Sequence, residues 1–178
     1  MGGLSPEQKV SIITGNSVVE ALKRKGLKAL PINVDHQIGT TLQSNPIDLA
    51  FIALHGTYGE DGCIQGLLEY FKIPYTGAGV MGSALAFDKL KSKEILKFHG
   101  IPTADYEVLY KNSEEKICRT LNLPVVVKPT NQGSSLGISI VKNENEWEPA
   151  LEAAFAYSEE VIVEKFIEGK LLAIGMNE

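Results

Sequence analysis

Short apolar runs alternate along the chain with stretches whose apolar positions recur every three to four residues. This alternation predicts strands interleaved with helices, an α/β arrangement. Asn16 and Ser17 predict the cap of a helix that runs through Lys25, with Gly26 as its stop. Residues 27–34 read as a strand. The run Asp48-Leu49-Ala50-Phe51-Ile52-Ala53-Leu54 reads as a buried parallel strand. A glycine-rich loop over 55–62 follows it, then a helix through about Phe71 and a short strand and turn over 73–77. One long helix is expected over 83–98, bearing Lys89, Lys91, Lys93 and Lys97 and stopped by Gly100 and Pro102.

After Pro102 the pattern changes to strands around 106–109, 124–129, 138–141 and 161–166, with helices over 114–121 and 144–155. This reads as a smaller α+β unit with hairpin-linked strands. The expected organisation is therefore two domains, 1–80 with a parallel sheet and 81–178, with the boundary near residues 79–83.

The chain has 178 residues, 44% of them hydrophobic, enough for one large core or two small ones. Its formal net charge of −5 argues against a nucleic-acid partner. No apolar run reaches membrane-spanning length, and no signal-peptide pattern opens the chain, so no membrane partner is expected. Cys63 and Cys118 form neither a metal-ligand spacing nor a disulfide framework, which fits a reduced, cytoplasmic setting.

The candidate chemistry begins at Val125-Val126-Val127-Lys128-Pro129, a β-branched strand ending in a lysine that needs an anionic partner if buried. Gln132-Gly133-Ser134-Ser135-Leu136-Gly137 then offers closely spaced backbone N–H groups and two hydroxyls, the makings of a phosphate cradle. It is not a P-loop, because no G-x-x-x-x-G-K-[ST] occurs in the chain. The alternative is a tight hairpin turn beside a solvated lysine.

Four further stretches stand out. His55-Gly56-Thr57-Tyr58-Gly59-Glu60-Asp61-Gly62 lies after an expected parallel strand, where open α/β sheets bind ligands. Alternatively it is a connection with a surface histidine, and Asp61 caps the next helix. Gly2-Gly3-Leu4-Ser5-Pro6-Glu7-Gln8-Lys9-Val10-Ser11 leads toward a helix, and Glu7 is either an ammonium ligand or a solvated first-turn glutamate. Ala86-Phe87-Asp88-Lys89-Leu90-Lys91 is either a nucleotide contact or a solvated face. Val163-Glu164-Lys165-Phe166-Ile167 is either a strand end offering backbone groups to an adenine edge or a charged edge strand.

These motifs, in this order, resemble the D-alanine–D-alanine ligase family of the ATP-grasp superfamily. The resemblance implies a Rossmann-like, pre-ATP-grasp N-terminal domain followed by the central ATP-grasp subdomain. It implies that Glu7 holds the ammonium of a first D-alanine, that Ser134 bonds to that glutamate, and that His55 lies near the substrate carboxylate with Val10 beside the same site. Lys89 and Lys128 would meet nucleotide phosphates with Gly133 and Ser135, while Glu164, Lys165 and Ile167 would border adenine. ATP would phosphorylate one D-alanine carboxylate and the amine of a second would displace phosphate, supplying peptidoglycan synthesis. A homodimer through the N-terminal domain is also implied.

The sequence departs from the family pattern at three places. No strand precedes the paired glycines, Leu171 stands where a ribose-binding glutamate is expected, and the chain stops at Glu178. The C-terminal subdomain, with its Mg²⁺ ligands, is thus expected to be absent, and the isolated chain is expected to have little ligase activity. The alternative function is a non-catalytic module, derived from such a ligase, that binds nucleotide or a D-amino acid. The choice among D-alanine, D-serine and D-lactate as second substrate stays open.

Overall fold

The structure, a computed structural model, describes residues 1–113, 119–170 and 172. The chain packs as two compact units, Met1–Gly100 with Thr130–Leu136, and Ile101–Pro129 with Gly137–Glu178. This packing division falls after Gly100, later in the chain than the boundary expected near 79–83.

The first unit contains α1 (Gln8–Arg24), α2 (Ile38–Ser44), α3 (Cys63–Tyr70), α4 (Val80–Phe87) and α5 (Lys89–Phe98). Helix α1 begins well before the cap expected at Asn16. Ser5 starts it instead: its carbonyl accepts from the Gln8 N–H at 3.1 Å, and its hydroxyl accepts from the Glu7 N–H at 3.2 Å. Ser17 stands inside the helix, where its hydroxyl donates to the Ile13 carbonyl at 3.0 Å, four residues back. Gly15 is buried inside α1, and a Cβ there would lie 2.4 Å from the Met1 side chain. The single helix expected over 83–98 is two. Asp88 is extended (φ −81°, ψ 108°) and its carboxylate accepts from the Lys91 N–H at 3.0 Å, capping α5.

The expected parallel sheet is much reduced. Among the described residues, strand pairing in this unit consists of two isolated parallel bridges, Gly2 with Val34 and Ala50 with Tyr75. The ladder breaks beside the second bridge because the Ile52 N–H goes to the Thr76 hydroxyl at 3.3 Å instead of to a carbonyl. The run 48–54 is not fully buried either: Leu49 is 59% and Phe51 50% exposed, whereas Leu54 is buried. Ala50, Ile52 and Leu54 pack with a core of Leu42, Ile64 and Leu68, so residues alternate between exposed and covered over 49–52, while Ala53 and Leu54 are both buried.

The second unit holds a four-stranded sheet of β1 (Tyr106–Tyr110), β2 (Val125–Pro129), β3 (Ser139–Val141) and β4 (Glu160–Lys165). Its order is β1-β4-β2-β3 and every pairing is antiparallel. A 3₁₀ turn at Glu144–Glu146 leads into α6 (Trp147–Phe155). Val125, Val127, Val161 and Val163 turn one sheet face toward Trp147, Leu151, Ala154 and Phe155. Of the helix expected over 114–121, residues 114–118 lie outside the described residues, and 119–121 are not helical. Among the described residues, no helix is long and apolar enough to cross a membrane.

Candidate functional site

The first unit brings Glu7, Gly133 and Ser134 together. Glu7 sits at the start of α1 and is only 5% exposed. The Ser134 hydroxyl donates to its Oε1. Its Oε2 is buried and, among the described residues, makes no hydrogen bond. Two glycines close on that oxygen: a Cβ at Gly56 would lie 2.3 Å from Oε2, and one at Gly133 2.9 Å away. A buried carboxylate oxygen with an unused lone pair is costly. A cationic or N–H group fits there, whereas a second anion would be repelled.

Ser134 and Ser135 both adopt positive φ, 46° and 62°, the left-handed region that side chains disfavour. Such strain of order 1 kcal/mol per residue is held only by surrounding contacts, and the Ser134 bond to Glu7 is one of them. The same loop is tied to α5 at its other end. The Lys89 N–H donates to the Thr130 carbonyl at 2.9 Å, and the Lys89 ammonium donates to the Gln132 carbonyl.

His55 stands beside this nest. Its carbonyl accepts from the Ser5 hydroxyl at 2.7 Å. Its ring lies between Thr14 Oγ1, 3.1 Å from Nε2, and Glu60 Oε1, 3.8 Å from Nδ1. The other Glu60 oxygen accepts from the Gly56 N–H at 2.7 Å, and the Gln65 amide holds the Gly59 carbonyl at 3.0 Å. Asp61, one residue before the Gly62 N-cap of α3, takes the Cys63 N–H at 3.1 Å and the Tyr58 N–H at 2.8 Å and so ties the loop to the start of that helix. Desolvation, then the Asp61 hydrogen bond and charge, push the Cys63 thiol up, which disfavours a nucleophilic thiolate here. Val10, on α1, is 48% exposed.

The second unit holds Lys128, Glu164, Lys165 and Ile167. Lys128 pairs with Ile162 across the β2–β4 ladder, and Glu164 pairs with Val126. Lys128 and Glu164 are thus diagonal neighbours on one sheet face, opposite the face that meets α6. Their side chains form an ion pair at 2.5 Å and are 23% and 11% exposed. The anion that a buried lysine requires is here a carboxylate of the chain itself. The backbone N–H groups of Lys165 and Phe166 go to the carbonyls of Asp105 (2.9 Å) and Pro124 (3.1 Å), while Ile167 is 64% exposed. The expected ribose position, Leu171, lies outside the described residues.

Within the first unit, the strained serine loop carries donor types that suit an anion. Metal chemistry is another matter. Among the described residues, no group of three or more His, Cys, Asp or Glu side chains could hold a metal ion. Ser5, Ser11 and Gly56 lie in stretches that stood out in the sequence, but no role was expected of them; Thr14 was not singled out at all. Ser11 is fully buried and its hydroxyl donates to the Ala53 carbonyl at 2.7 Å, fastening α1 to the segment that ends at His55. A lone hydroxyl in an amphipathic helix carries no signal of such a contact. Ser5, two residues before Glu7, is the one that turn chemistry points to.

Comparison with known proteins agrees with these motifs. The family description "D-ala D-ala ligase N-terminus" matches residues 36–78, and "D-ala D-ala ligase C-terminus" matches residues 94–178. The D-alanine–D-alanine ligase of Geobacter sulfurreducens is 46% identical over 177 residues, covering 99% of this chain and 56% of its own length. That of Geotalea uraniireducens is 46% identical over 179 residues, covering 100% of this chain and 58% of its own. The D-alanine–D-alanine ligase of Bacillus anthracis, in a crystal structure complexed with ATP, superposes with a TM-score of 0.82 at 38% identity. That superposition covers 95% of this chain and 57% of the other. The chain thus spans a little over half the length of the relatives it matches, with an α/β fold like theirs. It belongs to the D-alanine–D-alanine ligase family.

Proposed function

We propose that this chain carries the first-substrate site and part of the nucleotide site of an ATP-dependent D-alanine–D-alanine ligase. The observation that carries the reading is the unpartnered Glu7 Oε2, buried between Gly56 and Gly133 while Ser134 occupies the other carboxylate oxygen. An α-ammonium group satisfies that oxygen with a charge-assisted hydrogen bond. The family relation supports reading that ammonium as the one of D-alanine. His55 serves its carboxylate, and Val10 borders the same site.

In this reading residues 1–80 form the Rossmann-like substrate domain and 81–178 the central ATP-grasp subdomain. Nucleotide, when bound, supplies the phosphoryl group that activates a D-alanine carboxylate. Lys89 and Lys128 neutralise charge on its phosphates, together with the Gly133 backbone N–H and the Ser135 hydroxyl. Glu164 holds Lys128 until that anion arrives, and Glu164, Lys165 and Ile167 border the base. Mg²⁺, which this chemistry uses, finds no ligand set among the described residues, and no step is assigned to it. The second D-alanine and a homodimer through the first unit belong to the same proposal; exposed Val10 and Ile13 on α1 support the latter.

Nucleotide affinity tests the phosphate role. Lys128→Ala should weaken ATP binding to the chain by about tenfold or more, as expected for a hydrogen bond to a charged group. Unchanged affinity would remove Lys128 from the site. A module that binds nucleotide without chemistry would lose affinity equally; D-alanine binding that depends on Glu7 is what favours the ligase-derived substrate site.

A further inference from the structure

We infer that Gln65 is a positioning residue that fixes Gly56 against Glu7 by holding the middle of the 55–62 loop to α3. Gln65 stands on α3 and is only 5% exposed. Its amide Nε2 donates to the Gly59 carbonyl at 3.0 Å. Its Oε1 is buried and, among the described residues, accepts no hydrogen bond. A polar side chain kept there with one oxygen unsatisfied is costly, and an apolar residue of similar shape would fill the place without that cost. What the amide supplies, and an apolar residue cannot, is the donor to Gly59.

Gly59 and Glu60 hold Gly56 at both of its backbone groups. The Gly56 carbonyl accepts from the N–H of Gly59 at 3.0 Å and from that of Glu60 at 2.9 Å. The Gly56 N–H donates to a Glu60 carboxylate oxygen at 2.7 Å. These bonds close the loop on itself without fixing where it sits. Its ends are tied by the Ser5 hydroxyl on the His55 carbonyl and by Asp61 on the Cys63 N–H. The hydrogen bond that reaches its middle from α3 is that of Gln65. There Gly59 also rests on Leu54, since a Cβ at Gly59 would lie 2.5 Å from the Leu54 Cβ.

Gly56 in turn bears on Glu7, whose Oε2 a Cβ at Gly56 would meet at 2.3 Å. A displaced Gly56 moves the wall of that unpartnered oxygen. The consequence for D-alanine rests on the ligase reading, whereas the placement of the loop stands on the ligand-free geometry. Amide exchange on the ¹⁵N-labelled chain without ligand tests the placement. In the wild type the Gln65 side-chain amide should exchange about tenfold more slowly than those of the exposed Gln37 and Gln43.

Gln65→Met keeps the length of the side chain and removes both the donor and the unsatisfied oxygen. Exchange at the Gly56 and Glu60 N–H groups should rise about fivefold, the loss of one ordinary hydrogen bond. The denaturation midpoint should stay near that of the wild type, because the lost bond and the removed oxygen oppose each other. D-alanine affinity, titrated in the same two proteins, should fall by about the same factor as the exchange rises. A wild-type Gln65 amide as quick to exchange as Gln37 and Gln43 would overturn the inference even if the variant failed to fold, in which case Gln65→Leu is measured in its place. So would a folded variant whose exchange at Gly56 and Glu60, or whose affinity for D-alanine, matches the wild type. A lower midpoint with exchange raised throughout the unit would reduce Gln65 to a structural role. If the wild type takes up no D-alanine, the substrate reading fails, and the exchange result still decides the placement.

Discussion

Gly56 and Gly133 are where single atoms decide the site. Gly56 has φ +71°, and a Cβ there would lie 2.3 Å from Glu7 Oε2 and 3.2 Å from Ser5 Oγ. Gly56→Ala should therefore destabilise the chain by about 1–3 kcal/mol through backbone strain alone, measured by chemical denaturation, and displace the Glu7 carboxylate as well. Ser134→Ala should behave differently. It removes the hydroxyl from Glu7 Oε1 and one of the contacts holding a residue at φ 46°. The expected result is increased amide exchange near residues 133–136 and a loss of stability of about 1–3 kcal/mol, because the buried Glu7 Oε1 is left without its partner. Sequence made Glu7, His55 and Ser134 visible because their neighbouring glycines and fixed order form motifs. The partnerships of Thr14 with His55 and of Gly56 with Glu7 were not legible, because they depend on which atoms the fold brings into contact.

At the scale of elements, side-chain hydrogen bonds set the boundaries. Asp88 splits one expected helix into two, and Ser17, read as a cap, spends its hydroxyl on the Ile13 carbonyl. Both residues compete with backbone partners, and composition does not tell which competition wins. Val125–Pro129 and Glu160–Lys165 were legible because their apolar, β-branched runs end at turns. The parallel strands of the first unit were overread, since runs such as 48–54 are apolar on both faces in sequence but half exposed in the fold.

The turn into α6 offers a pH test. Glu146 accepts from the N–H groups of Lys142 (2.7 Å) and Asn143 (3.2 Å), and these, with the Asn143 side chain, hold its carboxyl below the ordinary 4.5. A depressed carboxylate stabilises the folded state above its unfolded value and loses that contribution as the pH falls through the folded one. Denaturation of the wild type should thus show a loss below about pH 4.5 that Glu146→Gln lacks. Parallel profiles for the two proteins would refute the assignment.

For the whole molecule, the two units have separate cores, one around Leu68 and one around Leu151. Leu68 is 3% and Leu151 4% exposed. Leu68→Ala and Leu151→Ala should each cost about 2–5 kcal/mol. Hydrogen exchange should rise first in α2 and α3 for the former and in β2, β4 and α6 for the latter. The second unit was the more legible as a fold, because an antiparallel sheet with one covered face writes its period into the sequence.

The central claim is that Glu7 presents a carboxylate oxygen to the ammonium of D-alanine. Isothermal titration of the chain with D-alanine, wild type against Glu7→Gln, tests it most directly. Saturable binding that weakens about tenfold or more in the variant is the predicted result, the loss of a charge-assisted hydrogen bond. Equal affinity in the two proteins, or no binding to the folded wild type, would contradict it.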